Sequence, residues 1–452
     1  MRDVYMLSYS VKGIKTLDQT VALSFYKKTI TNPPDTQEYN IKGIYGMNGS
    51  GKSGIVSSVD ILRNILTNSG YLMNPLVQRK LDAIINKKTE ELSISTDYLF
   101  KFKDFLMYYR YEIILKKDFT GRYGIFYEKL SCKNGTSKNE KLEVIYEVNK
   151  GEVAAIYNKK DNFELSEEIK KKTLNLLSMS SMGALCDEKI LAPILEEENE
   201  ACVNEVFHSL FGLYVFGKSI HVYIAQVDTY EQYFVNDSIK DILGTEEGTD
   251  KIGALVANYA DMNRDDLRIL SSSNNIVSRK QYEKFEENVH KLYAFLYIFK
   301  KDLLGIEIDR KEIHNGWSCD LIMVYKDYKV HAEFESTGIK KLIKLYAYLI
   351  KMVDGGIVFI DEFDSNLHDV YLCALLEYLM EYGEGQLCFT THNVGPMDVL
   401  KQNKKSIDFL SENHKIYPWR KSGNYSPSKL YRDGMIEGSP FNVDSIDFIG
   451  TF

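Results

Sequence analysis

The segment that most constrains the fold runs from Gly46 to Ser53 and reads GMNGSGKS, which fits the pattern G-x-x-x-x-G-K-[ST] without a gap. An apolar strand, Ile41 to Tyr45, precedes it, and apolar residues at helical spacing follow it as far as about Asn68. The alternative is a surface glycine turn with a solvated lysine. The strand before and the helix after it favour a phosphate-binding loop.

Each residue type in this loop suits phosphate binding. Gly46, Gly49 and Gly51 let the backbone turn its N–H groups towards phosphate oxygens. Lys52 places an ammonium against the β- and γ-phosphates, and Ser53 offers a hydroxyl to Mg²⁺. The loop therefore predicts a nucleoside triphosphate bound together with Mg²⁺.

A second segment, GGIVFIDEFDSNLH, places four apolar residues, Ile357 to Ile360, directly before Asp361 and Glu362. A continuous apolar run fits a strand buried on both faces, and open α/β sheets bind ligands at the carboxyl ends of their strands. In nucleoside-triphosphate hydrolases the first acid holds Mg²⁺ and the second acts on the attacking water. We therefore predict that Asp361 binds metal and Glu362 is catalytic. An ordinary acidic turn is the alternative.

Two more segments are expected near these acids. Gln386 to Phe389 reads as a buried strand, and His392 follows it, either to contact a γ-phosphate or water or to cap and pack. The run from Ser336 to Gly338 ends a strand and begins an amphipathic helix, so it is either an anion site or an ordinary N-cap.

Composition excludes some classes of protein. The 452 residues carry 56 basic and 64 acidic side chains, a net charge of −8, which gives no general attraction to nucleic acid. No apolar run approaches the ~18 residues of a membrane span, and no signal peptide is visible at the N-terminus. The six cysteines lie far apart, without CxxC or zinc-type spacing, which favours a reducing cytosol. Together these features predict a cytoplasmic protein without membrane contact.

Residues 401–432 form a basic segment with interleaved aromatic side chains. Its basic residues are Lys401, Lys404, Lys405, Lys415, Arg420, Lys421, Lys429 and Arg432, its acids are Asp408 and Glu412, and its aromatic residues include Tyr417, Trp419, Tyr425 and Tyr431. Such a segment either contacts nucleic acid or an acidic partner, or is a solvated edge whose aromatic residues pack on the core.

Taken in order, these segments resemble the ATP-binding-cassette (ABC) class of ATPase heads. More narrowly, they are similar to the overcoming-lysogenization-defect nucleases, RecF and related prokaryotic AAA-type ATPases, such as the ATPase subunits of PARIS- and Septu-type anti-phage systems. The resemblance is carried by G-x-N-G-x-G-K-S with Asn48, by IDEFDSNLH as a "DE-D-x-x-L-H" box, by FTTHN as the switch-histidine strand, and by ESTGIKKL as a signature of the form S-x-G-x-x-K-L.

The resemblance implies an ATPase that binds ATP and Mg²⁺ and dimerises head to head around the nucleotide. It places Asn48 in the nucleotide site and His392 in catalysis, and it brings Ser336 and Gly338 to the γ-phosphate held by the opposite subunit. Asp364 and His368 would lie in a dimer-facing loop, and Gln226 is a weak candidate for the Q-loop glutamine.

The implied fold is α/β: an ABC-type P-loop ATPase head, with a mixed sheet and an antiparallel β subdomain, interrupted by a mainly helical insertion. The expected divisions are the N-terminal half of the head at 1–130, the insertion at 131–304, the C-terminal half at 305–400 and the basic-aromatic tail at 401–452, packed on or beside the head.

The overcoming-lysogenization-defect proteins carry a toprim nuclease domain after the ATPase, and no such segment is recognised here after His392, so we expect any nuclease activity to come from a partner. We expect an ATP-hydrolysing switch that controls an effector nuclease or toxin from a neighbouring gene, in bacterial anti-phage defence. One alternative is a RecF-like repair or recombination ATPase that binds DNA directly. The other is a module that holds ATP without turnover, against which the presence of Glu362 argues.

Overall fold

The computed structural model describes residues 4–27, 29–30, 34, 36–102, 105–136, 140–156, 174, 176–185, 200–224, 271–313, 316–403, 405–420 and 425–439. Its strands are β1 Val4–Lys12, β2 Val21–Ser24, β3 Ile41–Gly46, β4 Glu91–Phe102, β5 Phe105–Lys117, β6 Tyr123–Asn134, β7 Glu143–Asn149, β8 Glu152–Ile156, β9 Ile220–Tyr223, β10 Asn275–Ser278, β11 Gly305–Ile313, β12 Gly316–Val324, β13 Lys329–His331, β14 Ile357–Ile360, β15 Gln386–Thr390, β16 Ile407–Leu410 and β17 Ile416–Pro418.

The helices of the described residues are α1 Lys52–Thr67, α2 Pro75–Ile84, α3 Glu200–Ser219, α4 Tyr282–Phe299, α5 Thr337–Val353, α6 Asp369–Tyr382, α7 Gly395–Leu400 and α8 Pro427–Arg432. Short 3₁₀ helices lie at Gln37–Tyr39, Tyr71–Met73, Arg279–Gln281 and Ala332–Phe334. None of the helices in these parts of the chain is long and apolar enough to cross a membrane.

The central sheet is mostly parallel and has the strand order β17-β16-β3-β15-β14-β9. Its middle strands β3, β15 and β14 are buried along their whole length because both faces are covered. Ile357 and Phe359 of β14 face one hydrophobic cluster, and Val358 and Ile360 face another. β3, β15 and β14 are parallel neighbours, so the loops that follow them emerge side by side at one edge.

A seven-stranded antiparallel sheet, ordered β2-β1-β4-β5-β6-β7-β8, shares a hydrophobic cluster with α1, α3 and one face of the central sheet. The two sheets are joined by the Gln386 side chain, whose Oε1 accepts from Met6 N at 2.7 Å and whose Nε2 donates to Met6 O at 2.9 Å. The pairing of β1 with β4 shifts register between Met6 and Ser8. β2 pairs with β1 only from Ser8 to Val11, so Met6 lies beyond that pairing, and the side-chain amide of Gln386 bonds its backbone instead.

A third sheet, β10-β12-β11 with β13 paired to β12, packs with α4 against α5. The first turns of α5 contribute Ile339, Leu342 and Ile343 to this cluster. The later turns contribute Leu345 and Leu349 to the core of the central sheet. α5 therefore packs against both layers, which explains why its apolar surface is wide and why Lys340, Lys344 and Lys351 are confined to one half-buried stripe.

The mixed α/β fold with parallel and antiparallel sheets agrees with the expectation. The segment predicted as a mainly helical insertion, 131–304, contains α3 and α4 but also strands β7 to β10. β7 and β8 extend the antiparallel sheet past residue 130, and β9 is an edge strand of the central sheet. β10 belongs to the third sheet, so the described part of this segment contributes strands to all three sheets.

The basic segment, residues 401–432, also contributes to the central sheet through β16 and β17. Tyr431 is buried, with its ring stacked on Phe409 at 5.5 Å, and Tyr417 and Trp419 pack on the same cluster. Tyr425 is exposed. Packing on the core thus accounts for three of these aromatic residues, and contact with nucleic acid through this segment stays a prediction.

A buried carboxylate lies inside the antiparallel sheet. Glu128 of β6 accepts hydrogen bonds from the hydroxyls of Tyr111 at 2.9 Å and Tyr146 at 2.8 Å and from the N–H of Met182 at 3.2 Å. Burial raises the pKa of Glu128 to about 7, although these three hydrogen bonds act in the opposite direction. The folded protein therefore binds a proton here that the unfolded chain releases at lower pH.

We expect this carboxylate to make stability depend on pH. Its contribution is fully present below the ordinary pKa of 4.5 and is lost as the pH rises towards about 7. The free energy of unfolding should fall by up to about 3 kcal/mol across that window because of this group. Glu128→Gln should remove this part of the pH dependence in urea unfolding measured between pH 4.5 and 8. Glu112→Gln, a half-buried site on β5, is the control, and an equal slope in both variants would contradict the assignment.

Candidate active site

The loop from Gly46 to Ser53 joins β3 to α1 and has the conformation that its glycines predict. Gly49 and Gly51 have φ of +79° and +108°, which side chains rarely adopt. A Cβ on Gly51 would also lie 2.3 Å from Leu17 Cδ2, so the position is closed to larger residues. Asn48 is exposed at the tip of the loop, and Ser53 lies half-buried in the first turn of α1.

Lys52 is buried at the base of this loop, and its ammonium donates to the carbonyl oxygens of Gly46 at 2.7 Å and Met47 at 2.9 Å. Burial lowers the pKa of Lys52 to about 8. The carboxylates of Asp361, Asp364 and Glu362 oppose that shift. The lysine and the acids therefore share one electrostatic environment, although they are about 310 residues apart in sequence.

Thr390, at the end of β15, holds both acids of the Asp361–Glu362 pair. Its hydroxyl donates to Asp361 Oδ1 at 2.6 Å and accepts from the backbone N–H of Glu362 at 2.8 Å. Asp361 is buried, whereas the side chain of Glu362 is exposed and its φ is +50°. The turn therefore fixes one carboxylate in the interior and directs the other outwards.

His392 follows two residues after Thr390 and is exposed beside the same acids. Its backbone N–H donates to Asp364 Oδ2 at 3.4 Å. Partial desolvation of the ring by neighbouring atoms, and then the charge of Lys52, lower the pKa of His392, and Asp364 is the largest of the opposing carboxylates. A neutral imidazole can accept a proton or hydrogen bond at neutral pH. Its location supports the prediction that this histidine belongs to the site.

Ser336 is the N-cap of α5, and its Oγ accepts from Ile339 N at 3.4 Å. The start of this helix contacts the loop after β14. A Cβ on Gly338 would lie 2.8 Å from Asn366 O, and Thr337 Oγ1 donates to Asn366 Oδ1 at 3.4 Å. Ser336 therefore caps α5, as one of the two interpretations predicted. Its contact with a nucleotide on an opposite subunit stays a prediction.

Two other expectations concern loop residues. His368 caps α6, with its Nδ1 accepting from Val370 N at 3.4 Å, so it has a local role in addition to any role at a dimer interface. Gln226, the weak candidate for the Q-loop, lies outside the described residues.

Three residues near the site were given no role by the sequence analysis. Two of them lie within motifs already identified: Thr390 is the first threonine of FTTHN, and Lys341 is the lysine of S-x-G-x-x-K-L. Lys15 lies on the turn after β1 that packs on the phosphate loop, where Thr16 Oγ1 donates to Gly49 O at 3.2 Å. Burial lowers the pKa of Lys15, and the charge of Asp361 opposes that shift.

These residues suit ATP and Mg²⁺. The described residues contain no group of three or more His, Cys, Asp or Glu side chains placed to hold a metal by themselves. Mg²⁺ bound with a nucleotide does not need such a group, because it takes one or two protein ligands and completes its shell with phosphate oxygens and water. Asp361 and Ser53 are the residues that would supply those ligands.

We expect the Thr390 hydroxyl to contribute measurably to stability. Thr390→Val leaves the Asp361 carboxylate and the Glu362 N–H without this partner and should lower the free energy of unfolding by about 1–3 kcal/mol in urea titrations. The matched control is Thr96→Val, which removes one neutral hydrogen bond to Ser8 O from an equally buried threonine. It should cost less, since hydrogen bonds to charged groups are stronger. Equal costs would contradict the role given to Thr390.

Residues 323–398 match the family described as "AAA domain, putative AbiEii toxin, Type IV TA system". The matched segment includes the start of α5, the Asp361–Glu362 pair and His392, and it does not include the loop at 46–53. No curated protein matches the chain. The match supports a P-loop ATPase, and such a domain implies nucleotide binding, typically with Mg²⁺.

Proposed function

We propose that this chain hydrolyses ATP and uses the reaction as a switch for a partner protein. The observation that carries the proposal is the convergence of Lys52, Asp361, Glu362 and His392 at the carboxyl ends of three adjacent parallel strands. Phosphoryl transfer needs a cation at the phosphates and a group that acts on water, and this edge of the sheet carries both.

The proposed roles follow from the surroundings of each side chain. Lys52 neutralises phosphate charge at the base of the glycine loop. Asp361 and Ser53 hold Mg²⁺, which neutralises charge on the β- and γ-phosphates when it is bound. Glu362 is exposed at the end of β14, so its carboxylate is free to orient or deprotonate water. His392 assists by contacting the γ-phosphate or that water.

We also propose that two copies close head to head around ATP. Support comes from the exposure of Ser336 and Thr337 at the start of α5 and from the similarity of ESTGIKKL to a signature segment. Contacts to a γ-phosphate made across such an interface would close the dimer, and their loss on hydrolysis would open it again.

The proposed biological setting is bacterial defence against phage. The sequence resembles ATPases of anti-phage systems, and the description of the family that matches residues 323–398 names a toxin and a toxin–antitoxin system. Both favour a switch that controls an effector nuclease or toxin over an ATPase that acts alone.

The first test separates nucleotide binding from turnover. Lys52→Ala should abolish ATP binding because it removes the cation at the phosphates. Glu362→Gln should keep ATP binding and lower kcat by about 10²- to 10⁴-fold, the usual effect of losing a general base. Binding is measured by calorimetry and turnover by phosphate release.

Lys88→Ala and Glu377→Gln, both at exposed positions, are the matched controls and should behave like the unsubstituted protein. A Glu362→Gln variant that hydrolyses ATP at the unsubstituted rate would remove Glu362 from the mechanism.

The second test concerns the opposite subunit. Ser336→Arg and Lys52→Ala should each be inactive alone. A mixed dimer should recover part of the activity, because one composite site then combines an intact phosphate loop with an intact Ser336. Mixed dimers isolated with two affinity tags give the measurement. If they form and stay inactive, Ser336 does not act in trans.

A further inference from the structure

Lys341 is a buried lysine on α5 for which phosphate binding offers no explanation. It is 5% exposed. Its ammonium donates to the carbonyl oxygens of Glu362 at 2.5 Å, Ser365 at 2.9 Å and Phe363 at 3.3 Å, and it also contacts Ser365 Oγ. A buried ammonium requires acceptors for its N–H groups, and the loop after β14 supplies all of these.

The same loop is held from its other side by the central sheet. Asp361 N donates to Tyr223 O at 2.9 Å, and Phe363 N donates to Thr390 O at 3.0 Å. Two N–H groups of the loop thus bond to β9 and β15, while three of its carbonyl groups accept from Lys341 of α5. Glu362 lies between these two sets of contacts, at a φ of +50° that a non-glycine residue keeps only with support from its surroundings.

We propose that Lys341 is a positioning residue of the ATPase site, which fixes the backbone from Glu362 to Ser365 and thereby the position of the Glu362 carboxylate. The inference rests on the proposed function of Glu362. Because α5, which is capped by Ser336, also contacts Asn366 through Thr337 and Gly338, the helix and the loop form one packed unit. A displacement of Ser336 would therefore reach Glu362 through Lys341.

The main test replaces Lys341 with Met, an unbranched apolar side chain that is one heavy atom shorter and lacks the ammonium. We expect kcat to fall about 100-fold, the size of effect that follows from misplacing a reacting group by about 1 Å. The Kd for ATP should stay unchanged, since the phosphate loop is untouched. Lys340→Met is the matched control: it lies next along α5, and its ammonium donates to Glu333 O at 3.2 Å.

A double substitution distinguishes positioning from general destabilisation. If Lys341 acts through Glu362, adding Lys341→Met to Glu362→Gln should lower the remaining single-turnover rate no further. A purely structural role would make the two losses multiply. Ser365→Ala keeps the ammonium and removes one of its partners, and it should give a smaller fall in kcat at unchanged Kd.

The kcat values of these variants decide whether Lys341 positions Glu362. A folded Lys341→Met variant with the unsubstituted kcat, or losses that multiply, would overturn it. If Lys341→Met does not fold, Ser365→Ala decides, and an unchanged kcat in that variant overturns the positioning role. If the unsubstituted protein binds ATP without turnover, the proposed function and this inference are both overturned. If the unsubstituted protein hydrolyses ATP and Lys341→Met hydrolyses it at the same rate, only the inference is overturned.

Discussion

The parallel pairing of β3, β15 and β14 is the constraint on which the rest of the structure depends. Backbone hydrogen bonds align Thr390 with Ile44 and Ile360 with Phe389, so three loops that are distant in sequence leave the sheet within reach of one another. Parallel strands of this kind need cover on both faces. The antiparallel sheet with α1 and α3 covers one face, and α5 with α6 covers the other.

Buried ammonium groups tie this arrangement together. Three lysines are buried among the described residues, and each meets oxygen acceptors from a segment distant in sequence or from the phosphate loop. Lys42 of β3 forms an ion pair with Asp408 of β16 at 2.7 Å. Removing one partner of such a pair would leave an uncompensated buried charge, which costs about 3–5 kcal/mol. The Lys42–Asp408 pair thus joins two adjacent strands of the central sheet, and Lys341 joins α5 to the loop after β14.

The acidic turn after β14 combines stability with chemistry. Thr390, Tyr223 and Lys341 satisfy its backbone and the Asp361 carboxylate, while the Glu362 side chain stays in solvent. A residue at positive φ is unfavourable by itself, and the contacts on both sides stabilise it there. Contacts from β9, β15 and α5 stabilise the backbone of the turn. The Glu362 carboxylate can therefore keep a fixed position while it stays exposed to solvent.

Local patterns in the sequence were sufficient for the elements that form the site. The apolar run predicted at Ile357 to Ile360 is β14, the strand expected to begin at Gln386 is β15, and the helix expected after Ser336 is α5. The mixed α/β class was also predicted. The placement of β9 and β16 in the central sheet was not, because a four-residue apolar strand carries no information about which neighbour it pairs with.

What the sequence by itself determined is the chemistry of each strand end: the glycine loop with its lysine, the paired acids and the histidine are all local patterns. What only the tertiary structure decided is which side chains hold those groups in place. Gln386 could bind Met6, and Lys341 could bind the loop after Glu362, only once sheets and helices had packed. Such contacts join residues 21 to 380 positions apart. Their partners depend on strand register and layer packing, which periodicity along the chain does not encode.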